Sequence, residues 1–115
     1  MSAASKKGSN GELELRDLLR KAGYPLAERS GSAQRRKGPG LADVEGTPFW
    51  AENKNHAHLP LGLWNILDKC AADREPLDRR PILVRLNRTG RKHRPLVVMF
   101  ADEWADREAQ IAEAD

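Results

Sequence analysis

The sequence predicts an α/β domain of the α+β kind, with a central mixed β-sheet flanked by helices. Three observations carry this expectation. Short aliphatic runs of strand length recur at 41–45, 49–55, 81–86 and 95–100. Two apolar stripes have helical spacing: Leu15, Leu18, Leu19 and Ala22, then Leu63, Trp64, Ile66, Leu67, Cys70 and Ala71. The chain has 115 residues, enough for one compact domain and too few for two.

Each element has a local cause. Residues 1–8, MSAASKKG, read as a flexible basic tail, and 9–115 as the single domain. Ser9 can cap a first helix, with Glu12 where a capping box wants an acid. Arg20 and Lys21 suit its last turn, and Gly23 can end it. Residues 24–29 make a weak first strand. SGSAQRRKGPG at 30–40 has loop composition. Residues 41–45 and 49–55 form a hairpin about the turn Gly46-Thr47-Pro48. A helix over 63–73 follows, then strands 81–86 and 95–100 around a basic loop, 87–94. Asp102 can cap a final helix reaching Ile111. The expected order is α-β-β-β-α-β-β-α.

Charged residues are 32% and aromatics 5%, so the core must be Leu, Val, Ile and Ala, with three tryptophans as anchors. The net charge of +3 is unevenly spread. Arg79, Arg80, Arg85, Arg88, Arg91, Lys92 and Arg94 crowd residues 79–94 with no acid among them, while the last fourteen residues are acid-rich. Such a band points to a polyanion, nucleic acid first, or else to a solvated loop. One cysteine, Cys70, allows no intrachain disulfide and fits a reducing cytoplasm. No apolar stretch approaches the roughly 20 residues that span a bilayer, so no membrane partner is expected.

The chemistry centres on ADVEGTPFWAENK, residues 42–54. Side chains two apart on a strand share a face. Trp50, Glu52 and Lys54 therefore face one way, and Phe49, Ala51 and Asn53 the other. The hairpin brings Asp43 beside Glu52. Two carboxylates suit a hard divalent cation such as Mg²⁺, which polarises a phosphodiester and helps make hydroxide. Lys54 would orient the water or stabilise charge on the phosphate. A surface hairpin with a cross-strand ion pair accounts for the same residues. His56, His58, Cys70 and His93 match no standard zinc spacing. Gly38-Pro39-Gly40 lacks the Lys-Ser/Thr pair of a phosphate loop.

KGSNGELELRDLLRKAGY, then ERSGS, Asp43 and ENK resemble in order and spacing the archaeal-type Holliday junction resolvases, including phage-borne relatives. These form a branch of the PD-(D/E)xK nuclease superfamily. Gly8, Glu12, Glu14, Leu15, Leu18 and Leu19 fit the family's first-helix pattern in register, and Arg29-Ser30-Gly31-Ser32 fits its next block. Ala42 stands where the superfamily carries proline, Leu13 stands where some relatives carry arginine, and the loop 30–40 is longer than in compact relatives. The resemblance implies a restriction-endonuclease-like core and an endonuclease that cuts branched DNA with Mg²⁺, Mn²⁺ substituting. Glu12, Asp43 and Glu52 would gather the metal, and Lys54 would be the catalytic lysine. Arg29, Ser30 and Ser32 would lie near the scissile phosphate. Lys6, Lys7, Arg35, Arg36, Lys37, Arg88, Arg91, Lys92 and Arg94 would hold DNA. A homodimer is implied, because a symmetric four-way junction needs two cuts. It would work in the cytoplasm, that of a host if phage-encoded. The same core also serves flap, nicking and restriction nucleases, and a catalytically silent DNA-binding protein would keep the fold.

Overall fold

The computed structural model describes residues 3–31, 40–56, 62–88 and 94–114. Helix α1 (Ala3–Lys21) leads to strands β1 (Glu28–Arg29), β2 (Val44–Glu45) and β3 (Trp50–His56). Helix α2 (Leu63–Asp73), strands β4 (Ile82–Arg88) and β5 (Leu96–Val98), and helix α3 (Ala101–Ala114) complete the expected order. One five-stranded sheet holds the strands in chain order. Every neighbouring pair is antiparallel except β3–β4, which runs parallel from Trp50↔Ile82 to His56↔Arg88. Parallel neighbours cannot be joined by a tight turn, so the chain between them carries α2. The sheet is therefore mixed, and the α+β architecture is observed.

Strand alternation divides the interior into two layers. Leu15 and Leu19 of α1 pack with Val44, Phe49, Ala51 and Leu83 on one face. Leu67 and Cys70 of α2 pack with Ala42, Trp50, Ile82 and Val84 on the other. Truncating a buried leucine such as Leu15 costs about 2–5 kcal/mol, which identifies these two layers as the source of most of the stability. The alternation expected along β3 is the one found.

Several expectations need correction. Helix α1 begins at Ala3, so the first residues after Ser2 are helical and the Ser9 cap does not form. Ala3, Ala4, Lys6 and Lys7 are good helix formers, and the two glycines, Gly8 and Gly11, cost only about 1 kcal/mol each. Leu18 is 38% exposed, at the rim of the stripe. Trp64, expected in the core or an interface, is 72% exposed and is not core. Helix α3 starts at Ala101, and the Asp102 carboxylate accepts from the adjacent Glu103 N–H within the first turn. No helix among the described residues is long and apolar enough to cross a membrane.

Two polar fastenings close the ends of the sheet. Arg80 reaches both Glu45 of β2 and Asp78, with Nη2 donating to Asp78 Oδ2 at 2.7 Å. Helix α3 is tied by Glu103, whose carboxylate accepts from Arg74 at 3.0 Å and from the Ile82 N–H at 2.9 Å. Arg107 adds a bond to the Tyr24 hydroxyl and stacks 4.5 Å from the centre of the Phe49 ring. Arg80 and Arg85 thus work inside the fold, contrary to their expected place in an exposed basic band. Arg79 and Arg94 are exposed.

Gly46 turns the hairpin with φ +87, and a Cβ there would stand 2.2 Å from the Leu26 carbonyl oxygen. Gly46→Ala is expected to destabilise the protein by about 2 kcal/mol or more, read from denaturant unfolding. An unchanged midpoint would show that the turn relaxes freely. Asp78 gives a pH test. Hydrogen bonding from Arg80 is the largest cause that holds its carboxyl below the ordinary value of 3.8. A lowered folded-state pKa adds stability that is complete above the unfolded value and is lost as pH falls through the folded one. The stability gap between the parent and Asp78→Asn should therefore be constant near pH 7 and shrink below about pH 4. A gap independent of pH would contradict the ion pair.

Candidate active site

The site forms where β2 gives way to the preceding loop. The register pairs Val44 with Ala51, yet the Asp43 N–H also donates to the Ala51 carbonyl at 3.0 Å. Two residues opposite one is the arrangement of a β-bulge, and it resets strand alternation. As a result Ala42 enters the α2-side core and Val44 the α1-side core. The Asp43 carboxylate accepts the Asn53 N–H at 3.0 Å.

β1 holds the bulge from the other side. The Ser30 N–H donates to the Asp43 carbonyl at 3.0 Å, and the Ser30 hydroxyl donates to the Ala42 carbonyl. Ser30 is buried, so its side chain acts on the loop before Asp43. Arg29 donates to the Gly31 carbonyl at 2.9 Å and lies 3.9 Å from a Glu12 carboxylate oxygen.

Glu52 faces α2. Its Oε2 accepts the Cys70 thiol at 3.5 Å and stands 3.9 Å from Lys54 Nζ. Asp43 and Glu52 are each 6% exposed, so both carboxylates sit in a low-dielectric setting. Cys70 senses this. Burial first, then Glu52 and more weakly Asp43, push its thiol up to about 12, while Lys54 opposes them. Glu52 and Lys54 lie 3.9 Å apart, and both, with Asp43, act on the Cys70 thiol.

Glu12 approaches from the opposite layer. Gly11 packs so tightly on β3 that a Cβ would stand 2.2 Å from Asn53 Nδ2 and 2.9 Å from Asn55 Nδ2. The helix thus brings Glu12 to the α1 face, whereas Glu52 lies on the α2 face. Among the described residues no group of three or more His, Cys, Asp or Glu is close enough to hold a metal ion. Glu14 pairs with Arg85 at 2.7 Å and Glu45 pairs with Arg80. Sequence reasoning assigned Arg85 to the basic band. Its place inside the apolar run Ile82-Leu83-Val84-Arg85-Leu86 was the signal that it is buried.

The expected DNA contacts are only partly in view. Lys6 and Lys7 fall in the first turns of α1, and Arg88 ends β4. The side chains of these three lie outside the described part of the structure. Ser32, Arg35, Arg36, Lys37, Arg91 and Lys92 lie outside the described residues. A cleft of about 700 Å³ between the α2–β4 connection and α3, lined by Pro48, Arg74, Asp78 and Ile111, shares no residue with the site.

Cys70 gives a direct test of the site's burial. A thiol raised to about 12 stays protonated at neutral pH, and only the thiolate reacts with disulfide reagents. The native protein should resist such a reagent and titrate one thiol after unfolding in denaturant. Rapid labelling of the native chain would contradict the burial beside Glu52. Comparison of the chain with family models, curated proteins and solved structures finds no match.

Proposed function

We propose that this chain is a Mg²⁺-dependent endonuclease that hydrolyses phosphodiester bonds in branched DNA, a Holliday junction resolvase of the PD-(D/E)xK type. The observation that carries the proposal is the pair of buried carboxylates, Asp43 and Glu52, set beside Lys54 at a bulge. Burying two carboxylates near one another is costly, by several kcal/mol per ion even after relaxation. A divalent cation offsets that repulsion, which gives the fold a reason to keep the pair.

The donor chemistry fits the metal. Carboxylate oxygens are the ligands a hard cation such as Mg²⁺ takes, with waters completing its shell. Asp43 and Glu52 would hold it directly, and Glu12 would contribute from α1. When bound, the metal supplies a polarised phosphoryl oxygen and a more acidic water. Lys54, held near Glu52, would place its ammonium where charge builds on the phosphate. Asp43 stays oriented because the Asn53 N–H fixes one of its oxygens. Arg29 would neutralise a phosphate beside the scissile one. A symmetric junction needs paired cuts, so the proposal includes a two-fold homodimer.

Asp43→Asn tests this reading. Asparagine still accepts the Asn53 N–H, so the fold should persist, but the anionic ligand is lost. Cleavage of a four-way junction in Mg²⁺ should fall by about 10²-fold or more, with junction binding retained. The assay compares the junction with a flap and a linear duplex, each with Mg²⁺ or EDTA. Parental cutting rates in Asp43→Asn would overturn the site assignment. Faster cutting of the flap would move the substrate to another branch of the superfamily.

A further inference from the structure

We propose that Arg85 is the positioning residue of this site, setting the distance between the helix that carries Glu12 and the strands that carry Asp43 and Glu52. The inference rests on the nuclease reading and adds to it a residue outside its ligand set. Arg85 is 6% exposed, in the middle of β4. Its Nη1 donates to Asn53 Oδ1 at 2.8 Å and its Nη2 donates to Glu14 Oε2 at 2.7 Å. One planar guanidinium therefore spans β3 and α1, and its fork fixes both direction and distance.

Each partner adjoins a site residue. The Asn53 side chain is held by Arg85, while its backbone N–H holds the Asp43 carboxylate at 3.0 Å. Glu14 lies one helical turn after Gly11, whose missing side chain lets α1 settle onto Asn53 and Asn55. Glu12 sits between Gly11 and Glu14 on that same stretch of helix. The guanidinium thus clasps the two halves of the site together, and a buried arginine keeps that geometry only while both partners remain.

Glu14→Ala and Glu14→Gln test the clasp, since the Glu14 side chain is 57% exposed and the fold should survive its loss. Three readouts are taken: exchange of the Asn53 amide relative to Val84, Mg²⁺ affinity by calorimetry, and junction cleavage. In Glu14→Ala the Asn53 amide should exchange about tenfold faster than in the parent while Val84 is unchanged. Mg²⁺ affinity and cleavage should fall together. Glu14→Gln, whose amide oxygen still accepts from Arg85, should recover part of both. In a Glu12→Gln background the Glu14→Ala loss of Mg²⁺ affinity should largely disappear, because Glu12 is what the clasp positions. Unchanged Asn53 exchange would overturn the clasp. Equal losses with and without Glu12 would reduce Arg85 to a packing role and overturn the positioning role. A parent that neither binds Mg²⁺ nor cuts any branched DNA, but shows the exchange effect, would sink the nuclease reading, and the site role with it, while leaving the clasp as fact.

Discussion

The arrangement depends on one hydrogen bond, from the Asn53 N–H to the Asp43 carboxylate. A strand N–H in the middle of a sheet has to find an acceptor, because burying it unpaired costs about 1–3 kcal/mol. Where β2 stops matching β3, the Asp43 side chain replaces the missing carbonyl. That substitution allows the bulge, and the bulge sends Ala42 and Val44 to opposite cores. Without it β2 would continue in plain alternation, and Ala42 and Val44 would share one face. The acid proposed as a metal ligand is also the acid that completes the sheet.

Polar side chains inside a small domain have to be satisfied by one another, and the pattern here is reciprocal. Arg85 meets Glu14 and Asn53 on the α1 layer, while Cys70 and Lys54 meet Glu52 on the α2 layer. The contacts of Arg85 are short and charged, 2.8 Å to Asn53 and 2.7 Å to Glu14.

Much of this was legible in the sequence. The stripe of Leu63, Ile66, Leu67 and Cys70 marks α2 to its observed ends, because an amphipathic helix against a sheet leaves a clear period. The parity of Trp50, Glu52 and Lys54 was also readable, since alternation along one strand is local. The bulge at Asp43 was not, because it depends on which residue of β3 each residue of β2 meets, and pairing across a turn has no local signature. Counting charge misplaced Arg80 and Arg85, as composition does not distinguish a guanidinium in water from one folded against Glu14. The start of α1 was read too late because Ser9 and Asn10 make good caps as well as tolerable helix residues.

Helix α3 has a different standing from the other two. It has no buried residue, and its recorded ties are Glu103 to Arg74 and Ile82, and Arg107 to Tyr24 and Phe49. A segment joined by charge and dipole rather than apolar burial belongs to the low end of a protein's range of local stabilities. Its opening exposes little hydrocarbon, so it carries a small heat-capacity change and responds weakly to denaturant, but ionic strength weakens its ion pair directly. The α3 amides would then exchange through a local, salt-sensitive fraying, while the strands beneath exchange only through global unfolding. The molecule would behave as a rigid sheet with a detachable terminal foldon.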